Sequence, residues 1–153
     1  MLAAAFAEYA ASYTPAALTA TTPPAPRICE RMEEGPIWVA VTGGRVVGTL
    51  GAVLRGPQLY LRGMAVLPGV RGHGVGAALL RVGEAYARAH GAECLRLSTT
   101  PFLAGAIRLY QAAGFEWSPE GPADLAGTPL RTMIKRLRPH GGGPGAADGR
   151  YGP

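Results

Sequence analysis

The residues best suited to chemistry form a glycine-rich segment that runs from Val66 to Gly76. Gly72, Gly74 and Gly76 let the backbone bend sharply and approach a ligand without Cβ contacts. A helical apolar pattern follows, and the first turn of a helix presents unpaired N–H groups and a partial positive charge. The segment therefore predicts a site for a phosphate or pyrophosphate, to which Arg71 can add a charge-assisted contact. The glycines alone fit equally well a turn that only lets a strand and a helix pack closely.

The same glycines also satisfy the loose pattern of a dinucleotide-binding loop, from Gly72 to Ala77. That fold needs an acidic residue roughly 20 positions further on, at the end of the next strand. Glu93 is near that spacing but lies at the start of the strand, and Ser98 and Thr99 occupy its end. The sequence therefore disfavours a dinucleotide fold.

Apolar periodicity places the glycine-rich segment between a strand and a helix. The predicted elements, in order, are a helix over 2–12, strands over 37–41, 45–54 and 59–66, a helix over 74–90, a strand over 94–98, a helix beginning at Pro101, a strand from Phe115 and a last strand over 130–137. Runs of strands followed by alternation predict an α+β fold, with a mixed, mostly antiparallel sheet and helices on both faces.

Local signals refine these elements. Residues 13–26 hold four prolines and are expected to be broken up, whereas the apolar run Ile37–Val41 predicts a buried strand. Gly43-Gly44 predicts a hairpin turn, and residues 118–129 predict a loop. Gly91 and Gly114 fit the C-terminal caps of the two later helices. The apolar stripe predicted for the helix over 74–90 comprises Val75, Ala78, Leu79, Val82, Tyr86 and Ala89.

Length and composition indicate one domain. The chain has 153 residues, of which 48% are hydrophobic and 16% charged, a globular composition. We predict a single domain over 1–138 and a disordered tail over 139–153, because the tail is rich in Gly and Pro. No apolar run approaches the ~18 residues of a membrane span, and two cysteines make no disulfide or zinc framework. The expectation is a cytoplasmic protein that binds no metal and no membrane.

The charge balance gives a weaker indication of the kind of ligand. Fifteen basic residues against ten acidic ones give a net charge of +5. The basic residues are scattered and lack the interleaved aromatic side chains of a nucleic-acid stripe, so no nucleic-acid partner is expected. The excess fits an anionic ligand such as a phosphorylated cofactor.

Two segments resemble a known family, the GNAT superfamily of N-acetyltransferases. Residues 61–80 look like its acetyl-coenzyme-A (acetyl-CoA) segment, and Arg71, Gly74 and Gly76 match the signature R/Q-x-x-G-x-G/A. Residues 106–115 match a second hallmark, A-x-x-L-Y-x-x-x-G-F, and follow a predicted strand at Leu95–Thr99. The resemblance covers about residues 37–138.

The resemblance implies a site. The pyrophosphate of acetyl-CoA would lie on the N–H groups of the glycine-rich segment, and the pantetheine arm would run along the preceding strand. A backbone N–H near Val66 would polarise the thioester carbonyl, and Tyr110 would protonate the departing thiolate. Periodicity alone favours a core aromatic at Tyr110, and it is the motif that favours the proton donor. The cofactor-binding residues implied are Met64, Ala65, Val66, Arg71, Gly72, His73, Gly74, Val75, Gly76 and Ala106.

The implied activity is transfer of an acetyl group from acetyl-CoA to a primary amine of a small molecule, by direct attack in a ternary complex. Acetylation of a protein N-terminus or lysine, and a non-catalytic acyl-CoA-binding module, remain alternatives, and a homodimer is compatible with the family.

The chain departs from its relatives at two points. Leu103 stands where many members have Asn, and the strand before the glycine-rich segment lacks the Glu that serves some relatives as general base. The base is therefore open between a water chain and four side chains: Glu30, Glu33, Glu34 and Tyr60.

Overall fold

The computed structural model describes residues 1–138, so the predicted tail over 139–153 lies outside the described residues. The helices are α1 (Leu2–Phe6), α2 (Pro15–Thr21), α3 (Ala25–Glu34), α4 (Val75–Ala89) and α5 (Ala104–Ala112). The strands are β1 (Ile37–Thr42), β2 (Arg45–Arg55), β3 (Gln58–Val66), β4 (Cys94–Thr99), β5 (Glu116–Trp117), β6 (Ala123–Leu125) and β7 (Thr128–Arg136). Short 3-10 segments occupy Ala7–Ser12 and Pro68–Val70.

The strands form an open sheet in the order β1-β2-β3-β4-β7-β5, with β6 paired to β7. Every pairing is antiparallel except that of β3 with β4. The predicted α+β class with a mixed, mostly antiparallel sheet is therefore confirmed. The parallel pair is short, because it runs only from Gln58 opposite Cys94 to Tyr60 opposite Arg96. Beyond Tyr60 the two strands are no longer paired, and this gap provides room for the site.

A bulge in β3 shapes the strand beside that gap. Thr49 pairs with Ala65 and Gly51 pairs with Arg62, so a single β2 residue lies opposite two residues of β3. One of those two, Gly63, has a φ of +62°, a left-handed conformation that glycine adopts without strain. Such a bulge bends the strand locally and increases its twist. It therefore redirects the segment that follows, from Met64 to Val66.

The N-terminal helices correct the prediction that prolines break up residues 13–26. Pro15 begins α2, and Thr14 before it caps the helix by accepting the Ala17 N–H at 3.2 Å. Proline is favoured in the first turn, where its missing N–H has no helical partner to lose. Pro26 likewise lies in the first turn of α3. The predicted helix over 2–12 is α only as far as Phe6 and then tightens into the 3-10 segment.

The buried strand predicted at Ile37–Val41 is an edge strand instead. In the described part of the chain β1 pairs only with β2, and Val39 and Val41 are 52% and 58% exposed. Trp38 and Ala40 on the opposite face pack against the core. An unbroken apolar run cannot show which of its faces is covered, so it does not distinguish an edge strand from a central one.

The apolar stripe predicted for α4 is also displaced. Val82 is 43% exposed, whereas Gly83 and Ala87 are buried. A Cβ at Gly83 would lie 3.2 Å from a methyl group of Leu50 and 3.4 Å from one of Leu61. The helix therefore turns a glycine toward the sheet to approach it closely, and a count of apolar side chains overlooks that contact.

Two other boundaries differ from the prediction. The second long helix starts at Ala104 and not at Pro101, which lies in the preceding turn. The predicted loop over 118–129 contains β6, which pairs with β7 from Ala123 opposite Leu130 to Leu125 opposite Thr128. The predicted hairpin turn is present, with φ of +56° at Gly43 and +72° at Gly44.

Glu84 joins α4 to the sheet and supports a first testable prediction. Its carboxylate accepts hydrogen bonds from Lys135 Nζ of β7 at 2.5 Å and from Arg88 Nη2 at 2.8 Å. Burial raises the pKa of Glu84, but the bonds from Lys135 and Arg88 outweigh it, and the pKa lies below its ordinary value. A carboxyl whose folded pKa is lowered stabilises the fold at neutral pH, and that stability is lost as the pH falls through the folded value.

We expect Glu84→Gln to lower the free energy of unfolding at pH 7 by about 1–2 kcal/mol, the scale of a partly buried charge-assisted bond. The difference from the wild type should shrink as the pH falls from the ordinary carboxyl pKa of about 4.3 through the lower folded value, below which both side chains are neutral. Urea unfolding at a series of pH values measures this. An equal deficit at pH 7 and pH 3 would contradict the electrostatic explanation.

Candidate active site

A cleft of about 800 Å³ lies between the end of β3, the start of α4 and the helix α5, with α1 beside it. His73 of the glycine-rich segment does not line this cleft. The ring Nδ1 of His73 lies 3.0 Å from the Arg71 carbonyl oxygen. The remaining residues of the predicted site all line the cleft: Met64, Ala65, Val66, Arg71, Gly72, Gly74, Val75, Gly76, Ala106 and Tyr110.

The start of α4 gives the cleft a set of backbone donors. The first helical hydrogen bond runs from the Ala78 N–H to the Gly74 carbonyl at 2.9 Å. The N–H groups of Val75, Gly76 and Ala77 precede it and have no partner within the helix, and all three residues line the cleft. Unpaired N–H groups and the positive end of a helix suit an anion, so the cleft fits the pyrophosphate of a coenzyme.

The three glycines of the segment are required for two different reasons. Gly72 and Gly74 have φ of +79° and +82°, where other residues are strained. Gly76 instead allows a close approach, because a Cβ there would lie 2.7 Å from Leu109 Cδ2 and 3.3 Å from Met64 Cε. The backbone explanation therefore applies to Gly72 and Gly74, and the packing explanation applies to Gly76.

Arg71 is engaged by the protein itself. Its guanidinium forms an ion pair with Glu8 and donates to the Ala5 carbonyl at 2.8 Å and, through Nε, to the Val66 carbonyl at 3.1 Å. These contacts fasten the N-terminal helical segment to the end of β3. Arg71 lines the cleft, but its predicted hydrogen bond to a phosphate would require these contacts to be exchanged, and it stays a prediction.

Arg108 is a cation that the sequence argument missed. It lines the cleft from α5, is exposed, and has no ion-pair partner among residues 1–138. It occupies an unspecified position of the second motif, between Ala106 and Tyr110. Arg108 is two residues from Ala106 and two residues from Tyr110. That spacing along the helix gave no indication that the Arg108 side chain would line the cleft.

A second cavity, of about 260 Å³, lies beside the cleft near α5. It lies against the unpaired halves of β3 and β4 and is bordered by residues from α2, α3 and the β6–β7 region. Four residues line both spaces: Phe6, Met64, Leu103 and Tyr110. Tyr110 therefore belongs to the wall that the two spaces share.

Tyr110 has properties of both a core aromatic and a proton donor. It is 6% exposed, belongs to the main core and packs against Phe115, with ring centroids 6.0 Å apart. Its hydroxyl has no hydrogen-bond partner within residues 1–138. Burial, and then the neighbouring Tyr13, raise the pKa of Tyr110 well above its ordinary value. The hydroxyl therefore keeps its proton at any physiological pH.

The carboxylates considered as general base lie away from both spaces. Glu30 forms an ion pair with Arg27 and Glu34 with Arg62, and Glu33 is exposed. The hydrogen bond from Arg62 holds the pKa of Glu34 below its ordinary value, which makes it a poorer base. Of the four predicted candidates only Tyr60 lines the second cavity, so Tyr60 and a water chain remain.

Two other site types receive no support. Within residues 1–138 no group of three or more His, Cys, Asp or Glu side chains is placed to hold a metal ion. In the same residues no helix is long and apolar enough to cross a membrane.

Comparison with known proteins shows the family. Residues 2–115 match the model of the acetyltransferase (GNAT) family, and the chain belongs to that family. The mouse protein "Probable N-acetyltransferase family 8 member 5" is 38% identical over 88 residues, which are 54% of this chain and 39% of that protein. The chain therefore spans about two fifths of that curated relative's length.

Solved structures show the same fold. An IAA acetyltransferase from Bacillus cereus has a TM-score of 0.65 at 22% identity, covering 83% of this chain and 94% of the other. A GNAT family acetyltransferase from Elizabethkingia anophelis, solved with acetyl-CoA bound, has a TM-score of 0.63 at 19% identity, covering 84% and 94%.

Proposed function

We propose that the protein is an acetyl-CoA-dependent N-acetyltransferase that acetylates a primary amine of a small molecule. The observation that carries the proposal is one protonated phenol in the wall of two neighbouring spaces. The large cleft contains the free N–H groups at the start of α4, the smaller cavity has room for an acceptor, and Tyr110 lines both. Membership of the GNAT family and the relative solved with acetyl-CoA bound support the same chemistry.

The proposed binding mode assigns the pyrophosphate to the N–H groups of Val75, Gly76 and Ala77. Acetyl-CoA, the co-substrate, supplies the activated acetyl group. Its pantetheine arm lies along the backbone of Met64–Val66, which the bulge at Gly63 turns into the cleft. Arg108 adds a positive charge from α5. This strand and helix then present the thioester carbonyl to a backbone N–H near Val66, which stabilises negative charge on the carbonyl oxygen.

The proposed reaction is a direct attack of the neutral amine on the thioester carbonyl. The C–N bond forms, the C–S bond breaks, and the Tyr110 hydroxyl donates its proton to the departing thiolate. Because burial keeps Tyr110 protonated, the donor is present over the whole working pH range. The proton of the attacking amine leaves through the Tyr60 hydroxyl or through water in the second cavity. Water then returns a proton to the Tyr110 phenolate, so that the enzyme is restored when CoA leaves as its thiol.

The size of the second cavity favours a small acceptor. Its volume of about 260 Å³ is below the roughly 300–1,000 Å³ typical of pockets for drug-sized ligands. Its walls combine leucines with hydroxyl and guanidinium groups that come from several elements. A space of this size suits a compact amine better than the side chain and flanking backbone of a protein substrate.

Thiol release from acetyl-CoA, measured with a panel of small amines, of peptides with free N-termini and of lysine peptides, tests this proposal. We expect release at least tenfold above the acceptor-free background with one or more small amines. Greater release with peptides would favour a protein acceptor. Tight acetyl-CoA binding by calorimetry with no release above background for any amine would favour the non-catalytic module.

A further inference from the structure

We propose that the acceptor is an amino acid, whose carboxylate is bound by Arg31 in the second cavity. The proposal rests on the proposed function and names its substrate class. It follows from a charge imbalance in the walls of that cavity. Two guanidinium groups, those of Arg31 and Arg62, line it, and no Asp or Glu among residues 1–138 does.

Arg31 is the guanidinium without a counter-ion. It extends from α3, and Nη2 donates one hydrogen bond, to the Ala20 carbonyl at 3.2 Å. It forms no ion pair within residues 1–138. Burial, and then the positive charge of Arg62, lower the pKa of Arg31. Placing a cation in a partly buried wall without a partner is unfavourable, and an anionic ligand would remove that cost.

Arg62 has its own partner and so does not compete for the ligand. Its Nη1 donates to Glu34 at 2.7 Å and its Nη2 to the Arg31 carbonyl at 3.3 Å. The three side chains together hold two positive charges and one negative charge. The net positive charge therefore belongs to Arg31, and a single carboxylate would balance it.

The position of Arg31 relates the carboxylate to the reacting centre. Its Nη1 lies 3.9 Å from the point where a Cβ of Gly63 would be, so it lies against the β3 bulge. The next residue, Met64, lines both the cleft and the second cavity. A carboxylate on Arg31 therefore lies close to the wall that the two spaces share, and an α-amino acid carries its carboxylate and its reacting amine on one carbon.

Other residues of the cavity wall offer a further polar contact and an apolar surface. Thr99 is 4% exposed, and its hydroxyl has no hydrogen-bond partner in the described protein. A buried hydroxyl without a partner is unfavourable unless a ligand or water supplies one. Leu97, Leu125 and Leu130 line the same cavity and would contact a small apolar side chain.

Product binding tests the carboxylate site separately from turnover. N-acetylalanine and N-acetylalaninamide have the same shape and no free amine, so a difference in affinity reports the carboxylate alone. Calorimetry with the CoA-saturated protein should give at least tenfold tighter binding of the acid. Arg31→Gln should abolish that preference, and Arg31→Lys should retain part of it, because Lys keeps the charge but not the two-pronged geometry.

A matched control is available on the same helix. Arg27→Gln removes a guanidinium that pairs with Glu30 and does not line the cavity, so it should leave the preference unchanged. Equal affinities for acid and amide, an unchanged preference in Arg31→Gln, or no binding of either compound would overturn the carboxylate site. If thiol is released with amines that carry no carboxylate, any of these results would leave the proposed activity in place and reject only the amino-acid acceptor.

Discussion

Replacing Ala77 by Asp is expected to weaken acetyl-CoA binding by about 10²-fold at low ionic strength. Ala77 lies in the first turn of α4 and lines the cleft, where the proposal puts the pyrophosphate. A carboxylate about 5 Å from a doubly charged group costs roughly 2–3 kcal/mol at an effective dielectric constant between those of the protein surface and water. The helix itself should tolerate the change, because an acid in the first turn is favourable.

Ala77→Asn is the matched control, since it has the same shape without the charge. Its affinity, measured by calorimetry, should fall much less than that of Ala77→Asp, and both melting temperatures should stay near that of the wild type. The difference between the variants should narrow as salt is added. Equal affinities for Asp and Asn variants would contradict an anion site at the start of α4.

Substitution of Gly74 would be a less informative test of the same site. At a φ of +82° a valine is strained whatever the ligand does, so lost binding and lost folding would coincide. No atom lies within 4 Å of a Cβ at that position, so the backbone is the obstacle and not crowding. A charge placed on the helix tests binding without this strain.

Replacing Tyr110 by Phe is expected to lower turnover by about 10- to 10²-fold while acetyl-CoA affinity changes little. A positioned general acid contributes roughly 10²- to 10⁴-fold, and a thiolate leaves well enough to place this case at the low end. Because the ring and its packing on Phe115 remain, the free energy of unfolding should change by about 1 kcal/mol or less. Steady-state kinetics, calorimetry and thermal unfolding of both proteins measure the three quantities.

Tyr86→Phe is the control for removing a tyrosine hydroxyl elsewhere. Tyr86 lies on α4 and packs against Trp38 of β1, with ring centroids 5.4 Å apart, and it lines neither space. The turnover of Tyr86→Phe should therefore match that of the wild type. Since the pKa of Tyr110 is raised, no loss of activity from its ionisation should occur up to about pH 10. Wild-type turnover in Tyr110→Phe would return Tyr110 to a purely structural role.

The sequence by itself determined the features that depend on neighbours along the chain. The Gly43-Gly44 turn, the caps at Gly91 and Gly114 and the order of most strands were predicted, because positive φ and apolar periodicity are local properties. The two motifs were recognisable for the same reason, since each occupies one turn and one helix. The site residues predicted from them, except His73, line one cleft. Their roles there stay predictions.

The prediction for the N-terminal helices was wrong, although the sequence contains local signals for a helix start. Thr14 followed by Pro15 is a helix start, and four prolines within 13–26 were interpreted only as helix breakers. The Thr14 hydroxyl also donates to the Ala126 carbonyl at 2.6 Å, and the Thr14 backbone N–H donates to Thr128 Oγ1 at 3.1 Å. These contacts fasten α2 to the β6–β7 hairpin across more than a hundred residues.

Only the tertiary structure decided which side chains share a space. Arg71 is paired with Glu8, Arg108 lines the cleft, and Arg31 lines the second cavity without an ion-pair partner in the part of the chain that the structure describes. The gap that creates both spaces arises because β3 and β4 pair over three residues and then part. Parallel pairing and the partners of a charge depend on segments far apart in sequence. A pattern read along one segment carries no information about them.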